Sequence, residues 1–272
     1  MPFALLAMTL AASRTPGGLR LGHVLLVIAC MVFARTVAMT ANRLLDARLD
    51  AMNPRTAGRA IPSGTLSVKF VVIATVLCSV GFIASCAGFW WLYGNAWPVA
   101  LSVPVLLYLC GYPLMKRFTR LCHYYLGAAL ALAPVCAWLA VKGTIDAPPL
   151  LIAGAVLTWT AGFDIIYACQ DYAVDVAQGL YSVPSKLGIG GALWVARLTH
   201  LISAILFVLV GVLTPEFGPI YLTGALIAVT LLAYEHWLVR GGDLSRLNMA
   251  FFTINGVISV LVGTLGIVDV FF

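Results

Sequence analysis

The residues in this sequence best suited to chemistry form a stripe of oxygen ligands. Asn42, Asp46 and Asp50 are spaced i, i+4 and i+8, so on a helix they share one face. Carboxylates at this spacing repel each other, and the free-energy cost of their charge rises steeply near hydrocarbon. The stripe therefore predicts a bound cation. Hard oxygen ligands at this density suit Mg²⁺, which usually shares its coordination shell with a phosphate.

A second acidic stripe lies in the other half of the chain. Asp164, Asp171 and Asp175 are spaced i, i+7 and i+11, with Tyr167 between them. The last two acids of this stripe follow the last two of the first stripe by 125 residues. A weak internal repeat of this kind predicts two related helix bundles that face each other across a central cavity. The two stripes would then line opposite walls.

Basic residues accompany both stripes. Arg55 and Arg59 follow the first stripe, and Lys116 and Arg117 come just after a Tyr-Pro turn near the middle of the chain. Arginine offers a planar fork of donors and lysine a compact point charge, and both bind phosphate groups. We interpret these four residues as ligands of a diphosphate beside the metal.

Arg35 differs from the other basic residues because it lies inside an apolar stretch. It precedes Asn42 by seven residues, about two helical turns on the same face. A charged side chain in this position requires an anion. The anion is either a carboxylate of the protein or a carboxylate on a substrate that binds deeper than the metal. His123 and Glu235 are interpreted as residues of helix interfaces.

The composition sets the surroundings of these groups. Of the 272 residues, 62% are hydrophobic and 10% are charged, whereas a soluble domain has about 45–50% apolar and about 25% charged residues. The polar surface is too small to cover a water-soluble globule. The chain is therefore predicted to cross a membrane many times. This excludes a DNA-binding module, a disulfide-stapled secreted domain and a disordered chain.

The apolar stretches predict the architecture, since a spanning helix needs about 20 apolar residues. The first of them is too short to span, and it has the sequence of a helix whose beginning is missing. No linker is long enough to separate domains, so residues 1–272 are expected to form one domain. We predict an all-α membrane protein with about nine transmembrane helices in two related bundles around a central cavity, built from residues 2–12, 21–45, 66–92, 96–115, 120–141, 148–172, 190–214, 218–239 and 247–271.

The cations predict the orientation. The loops of one side hold only Arg14, Arg20 and Lys142. An excess of Arg and Lys marks cytoplasmic loops, so we expect a multi-pass protein of the inner (cytoplasmic) membrane whose active site faces the cytoplasm. The cytoplasmic set has eleven members: Arg43, Arg48, Arg55, Arg59, Lys69, Lys116, Arg117, Arg120, Lys186, Arg240 and Arg246.

Taken together, the motifs resemble those of the UbiA superfamily of intramembrane aromatic prenyltransferases. They occupy Asn42–Asp50, Arg55–Gly64, Tyr112–Arg117 and Asp164–Asp175, in the order and spacing of that family, and the resemblance covers nearly the whole chain. It implies an Mg²⁺-dependent enzyme that transfers a polyprenyl group from a polyprenyl diphosphate to an aromatic acid of the 4-hydroxybenzoate type. The reaction belongs to quinone biosynthesis and passes through an allylic cation. Neither a nucleic acid nor a protein partner is predicted.

For a reaction of this kind the residues themselves indicate roles. We expect Asp164 to orient the acceptor or serve as a base, Tyr167 or Tyr172 to stabilise the allylic cation, and Arg35 to hold the acceptor's carboxylate. The diphosphate is bound by Arg55, Arg59, Lys116 and Arg117 together with Asn42. The metal ligands, which include the other catalytic acids, are Asn42, Asp46, Asp50, Asp171 and Asp175.

Arg43 departs from the pattern, because many family members have Asp at this position. The variant resembles a bacterial subgroup whose members are labelled 4-hydroxybenzoate polyprenyltransferases or are assigned to the futalosine route to menaquinone. The acceptor is therefore either 4-hydroxybenzoate or a dihydroxynaphthoate. A haem or chlorophyll prenyltransferase is an alternative that Arg35 argues against. Outside the family, a cation-coupled transporter is the alternative, although its acids would be expected near the bilayer midplane.

Overall fold

The computed structural model describes residues 1–272 and is helical throughout, with no strand. Eight helical segments are long and apolar enough to cross a membrane. The predicted all-α membrane fold is confirmed, with nine helices of 12 residues or more and one short helix of six residues. The first helix, Pro2–Ser13, has 12 residues and is too short to span, as expected. The helices are α1 (Pro2–Ser13), α2 (Leu21–Met52), α3 (Val68–Tyr93), α4 (Trp97–Gly111), α5 (Cys122–Lys142), α6 (Ala147–Ala168), α7 (Tyr172–Ala177), α8 (Val183–Leu213), α9 (Pro219–Leu238) and α10 (Asn255–Phe271).

The helices form two groups around the cavity. Helices α2, α3 and α4 pack against one another, and α6, α8, α9 and α10 pack as a second group. Helix α5 joins the groups through its contacts with α4 and α6, while the buried helix α1 packs on α5 and α10. The main hydrophobic core follows α1, α6 and α8. Both groups thus present helix ends to the same central space.

The length of α2 explains where the first stripe lies. Its 32 residues extend about 48 Å at 1.5 Å per residue, which exceeds the hydrocarbon thickness of about 30 Å. The last turns, with Asp46 and Asp50, therefore emerge at the membrane rim. The helix ends at Met52 because Asn53 is extended, as expected for a residue that precedes a proline.

The second stripe is not on one continuous helix, contrary to the prediction. Helix α6 ends at Ala168, a 3₁₀ turn follows at Cys169–Asp171, and α7 begins at Tyr172. A 3₁₀ turn has about 3.0 residues per turn instead of 3.6, so the shared face of Asp164 and Asp171 is lost. The two carboxylates consequently have different partners.

Helix α8 starts seven residues earlier than the apolar pattern indicated. Ser182 caps it in a reciprocal capping box with Ser185, and Pro184 stands in the first turn, where proline is favoured. The helix bends at Gly188, whose φ of +69° is in the left-handed region. This early, capped start carries the N-terminus of α8 to the edge of the second stripe.

Small residues allow the helices to approach closely, as is usual in membranes. A Cβ atom on Gly127 of α5 would lie 2.3 Å from the backbone oxygen of Leu157 on α6.

We expect Gly127→Ala to push α5 away from α6 and to lower the free energy of unfolding by about 1–3 kcal/mol, measured as a lower thermal midpoint in detergent. In Gly256→Ala on α10 the new Cβ meets nothing within 4 Å, so its midpoint should not fall. Equal midpoints for the two variants would contradict this account.

Candidate functional site

A cavity of about 620 Å³ occupies the space between the two groups of helices. Of its 35 lining residues 28 are hydrophobic, so most of its wall suits an apolar chain. The polar residues of the lining lie along α2 from its middle towards its C-terminal end, and on the segments next to that end. They are mainly Arg35, Asn42, Arg43, Arg59 and Tyr112. The cavity therefore suits a ligand with a long apolar part and an anionic group.

The carboxylates of the first stripe are buried and paired with cations. Asp46 is 2% exposed and Asp50 is 5% exposed. The Nζ atom of Lys116 donates to Asp46 at 2.6 Å, and Arg117 lies 3.5 Å from the other oxygen of Asp46. Arg59 donates to Asp50 at 2.6 Å. The structure thus brings the predicted acids and bases of the first half together.

The loop after α2 connects the first stripe to the second. Arg55 donates to both oxygens of Asp171, at 2.9 and 2.5 Å, and Asn53 donates to the same carboxylate at 2.9 Å. The Arg55 guanidinium also lies 5.5 Å from the centre of the Tyr167 ring. Burial lowers the pKa of Arg55, but its hydrogen bonds to Asp171 outweigh this effect and the pKa is raised. Arg55 is therefore charged, and it links the two halves of the site.

The remaining acids of the second stripe have neutral or histidine partners. Asp175 accepts a hydrogen bond from the Ser182 hydroxyl at 2.7 Å. Asp164 lies 2.7 Å from Nδ1 of His123 on α5. The sequence offered no spacing signal for His123, since it lies 41 positions from Asp164 in the chain.

Arg35 is exposed, although it lies inside an apolar stretch of the sequence. Its side chain lines the cavity. No carboxylate of the protein pairs with it, so the alternative of an internal ion pair is wrong. Arg43 lines the cavity in the same way and also has no ion pair. The charged end of the cavity thus contains two guanidinium groups without an anion.

Tyr167 has an aromatic partner that the sequence did not indicate. Its ring stacks on Phe251 with the centroids 3.9 Å apart, and Phe251 lines the cavity. Phe251 lies in a π-helical turn at Met249–Ile254, and such turns are frequent at functional sites. The phenylalanine was missed because its contact with α6 depends on the packing of the chain's last segment.

The donor atoms of the first stripe fit a divalent cation of a particular kind. No three His, Cys, Asp or Glu side chains converge tightly enough to hold a metal by themselves. However, Asp46 Oδ1 and Asp50 Oδ2 are buried without a hydrogen-bond partner. Mg²⁺ is typically bound by one or two carboxylates together with water and substrate phosphates. These residues therefore fit an ion whose shell a phosphate ligand completes.

Comparisons with known proteins agree with this arrangement. The sequence model described as the UbiA prenyltransferase family matches residues 1–257. A protein of Tolumonas auensis named 4-hydroxybenzoate octaprenyltransferase is 31% identical, over 86% of this chain and 79% of its own length. A protein of the same name from Aliivibrio fischeri is 30% identical over 92% of this chain and 83% of its own length.

Solved structures share the fold. The apo structure of a UbiA homologue from Aeropyrum pernix K1 has a TM-score of 0.87 and 29% identity, covering 98% of this chain and 97% of that one. A UbiA homologue from Archaeoglobus fulgidus bound to GPP and Mg²⁺ has a TM-score of 0.68 and 20% identity, covering 100% of this chain and 97% of that one. The second likeness shows the fold alone.

The ion pair of Asp46 generates a stability prediction. In Lys116→Met the carboxylate of Asp46, whose side chain is 3% exposed, keeps only Arg117 as a basic neighbour, at 3.5 Å. Since Lys116 itself is 30% exposed, we expect the free energy of unfolding to fall by about 1–3 kcal/mol, less than the cost of breaking a fully buried pair. Thermal unfolding in detergent without divalent cations measures this change. Asp46→Leu with Lys116→Met should be more stable than Lys116→Met alone. Lys186→Met, whose cation contacts only the Tyr181 ring, is the control, and a loss equal to that of Lys116→Met would contradict the prediction.

Proposed function

The chain belongs to the UbiA prenyltransferase family, and we propose that it transfers a polyprenyl group from a polyprenyl diphosphate to an aromatic acid of the 4-hydroxybenzoate type in quinone biosynthesis. It is a multi-pass membrane prenyltransferase. The observation that carries the proposal is the apolar cavity of about 620 Å³ with guanidinium groups at its charged end. A polyprenyl diphosphate and an aromatic acid have the complementary chemistry. The names of the relatives support the same acceptor.

The diphosphate would bind where the two halves of the site meet. Lys116, Arg117, Arg55 and Arg59 would bind it with charge-assisted hydrogen bonds, since each lies beside a stripe carboxylate. The metal would be held by Asp46 and Asp50 with Asn42 on one wall and by Asp171 and Asp175 on the other. When bound, Mg²⁺ supplies positive charge that stabilises the leaving diphosphate. The Mg²⁺ in the homologue from Archaeoglobus fulgidus agrees with this assignment.

The acceptor and the allylic cation would lie deeper in the cavity. Arg35 would bind the acceptor's carboxylate with its planar fork, and this would aim the ring at the allylic carbon. Tyr167, stacked on Phe251, would stabilise the allylic cation with its ring face. Asp164 would orient the acceptor or act as a base.

The orientation in the membrane is part of the proposal. Eleven of the loop cations lie on the side of the stripes, which favours a cytoplasmic site in the inner membrane. The whole chain would act as one domain without a protein partner. A cation-coupled transporter finds no support, because the stripe acids pair with basic side chains at helix ends.

A dihydroxynaphthoate acceptor is the second candidate, and the observation that favours it is Arg43, where many family members have Asp. The test is prenyl transfer from a radiolabelled donor in membranes, with 4-hydroxybenzoate and a dihydroxynaphthoate as competing acceptors and with Mg²⁺ or a chelator. We expect a labelled product from 4-hydroxybenzoate only with Mg²⁺. Absence of any labelled aromatic product would reject the proposal.

The stripe acids generate a prediction about activity. Asp46→Ala and Asp171→Ala should each lower prenyl transfer by about 100-fold or more, because the stabilisation of the leaving diphosphate is lost. Asp243→Ala is the matched control, since Asp243 is exposed and its carboxylate accepts a hydrogen bond from the backbone of the neighbouring Ser245, away from both stripes. The variants should still elute as folded protein from a gel-filtration column. Wild-type transfer activity in either stripe variant would contradict the assignment of that acid as a metal ligand.

Arg35 generates a prediction about substrate affinity. Arg35→Lys retains the charge but loses the planar fork, so the acceptor's KM should rise about tenfold while the donor's KM changes little. The control is Arg197→Lys, because Arg197 also lies within a span but packs over Trp194 outside the cavity. Steady-state kinetics with each substrate varied in turn would measure both constants. The role fails if the acceptor's KM stays unchanged.

A further inference from the structure

Two thiols meet in the wall of the cavity, away from both stripes. Cys30 of α2 and Cys86 of α3 line the cavity, and their sulfur atoms lie 3.8 Å apart. Cys30 precedes Asn42 by 12 residues on α2, which is about 18 Å along the helix. All seven cysteines of the chain are free, and this pair alone has its sulfurs within hydrogen-bond distance. Neither thiol has a role in the proposed transfer reaction.

Glycines bring the backbones of α2 and α3 together on both sides of this pair. A Cβ atom on Gly81 of α3 would lie 2.7 Å from the ring of Phe33, and one on Gly88 would lie 2.8 Å from Leu26. Phe33 and Leu26 both belong to α2, and small residues at such positions let membrane helices approach closely. A disulfide bond needs Cα atoms about 4.4–6.8 Å apart, so a close approach of the two backbones is its first requirement.

The surroundings of the pair select the kind of reactant. The cavity lining is mostly hydrophobic, and the only hydrogen-bond partner of each thiol is the other thiol. Apolar surroundings disfavour the thiolate, which is the form that reacts with water-soluble oxidants and binds metals. A reactant for this pair must therefore enter an apolar space and take up the thiol protons itself. A quinone with an isoprenoid tail meets both requirements, because its tail matches the wall and its two carbonyl oxygens are protonated on reduction.

We propose that Cys30 and Cys86 form a redox-active dithiol that a lipid quinone in the cavity oxidises to a disulfide. The inference rests on the proposed function in one respect: a cavity that releases a polyprenylated aromatic product also admits a polyprenylated quinone. The enzyme thereby responds to the oxidised quinones of the membrane in which it works.

The oxidation step balances with the quinone as the oxidant. Two S–H bonds break and one S–S bond forms, so the dithiol gives up two electrons and two protons. The quinone takes up both electrons and both protons and leaves as the hydroquinone. A dithiol reductant reverses the modification by thiol–disulfide exchange.

The disulfide constrains the helix that carries the first stripe. The two sulfurs have to approach from 3.8 Å to about 2.05 Å, and the bond then fixes α2 to α3. Arg35 lies five residues beyond Cys30 on α2, about 7.5 Å along the helix. Since a misplacement of about 1 Å can lower a rate about 100-fold, we expect the oxidised enzyme to transfer prenyl groups more slowly.

The experiment counts free thiols in the full chain, purified in detergent. The probe is a short-chain benzoquinone with every ring position substituted, because it forms no stable thioether with a thiol. Maleimide mass tagging of the denatured protein should show that wild type loses two of its seven free thiols, whereas Cys30→Ala and Cys86→Ala lose none. Cys136→Ala is the matched control, since Cys136 lines the same cavity but is not required for the disulfide, so this variant should lose the same two thiols. Oxidised glutathione, which is water-soluble, should leave the thiols of wild type free.

Prenyl transfer is then measured after the quinone has been removed. Oxidised wild type should be about tenfold slower and should recover with dithiothreitol, whereas the rate of Cys30→Ala should be the same with and without the treatment. The inference is overturned if the quinone leaves every thiol free, if Cys30→Ala loses thiols as wild type does, if oxidised glutathione oxidises the pair equally well, or if oxidised wild type keeps its full rate. The thiol count does not depend on transfer, so a wild type without transfer activity would reject the proposed function, and the count alone would then decide whether the dithiol is oxidised by the quinone.

Discussion

A carboxylate near hydrocarbon is stable only beside positive charge, and this requirement organises the end of the molecule that carries the two acidic stripes. Asp46, Asp50 and Asp171 each have a basic partner from another segment of the chain. The loops between the spans are consequently folded back over the helix ends. The interaction of Arg55 with Asp171 is the most informative, because it joins a loop of the first half to the second half. The same charges that hold the loops in place are available to an anionic ligand.

The apolar wall of the cavity complements its charged end. The polyprenyl tail of the proposed donor needs an apolar environment, and the cavity wall, lined mostly by hydrophobic residues, supplies one. The diphosphate group of such a donor needs charged partners, and these lie at the end of α2 that emerges from the membrane. The two unpaired guanidinium groups of Arg35 and Arg43 lie where the two environments meet. A substrate pair with apolar, phosphate and carboxylate parts satisfies each region in turn.

Much of this arrangement could be predicted from the sequence because it depends on local periodicity. The composition determined the membrane environment, and the spacing of Asn42, Asp46 and Asp50 placed them on one face of a helix. The motifs with Arg55 and Lys116 indicated the basic partners by type and order. Helix number and the short first helix followed from apolar length alone. Each of these properties is a property of a contiguous segment.

The rest depended on contacts between segments far apart in the chain. Only packing decided that a 3₁₀ turn breaks the second stripe at Cys169–Asp171, and that Arg35 faces the cavity without a protein carboxylate. His123 and Phe251 acquire partners 41 and 84 positions away, which no spacing rule can reach. Sequence by itself therefore determined which chemical groups are present and on which helix faces they lie. Tertiary structure decided which of them meet, because the pairing of buried polar groups is a property of the whole fold.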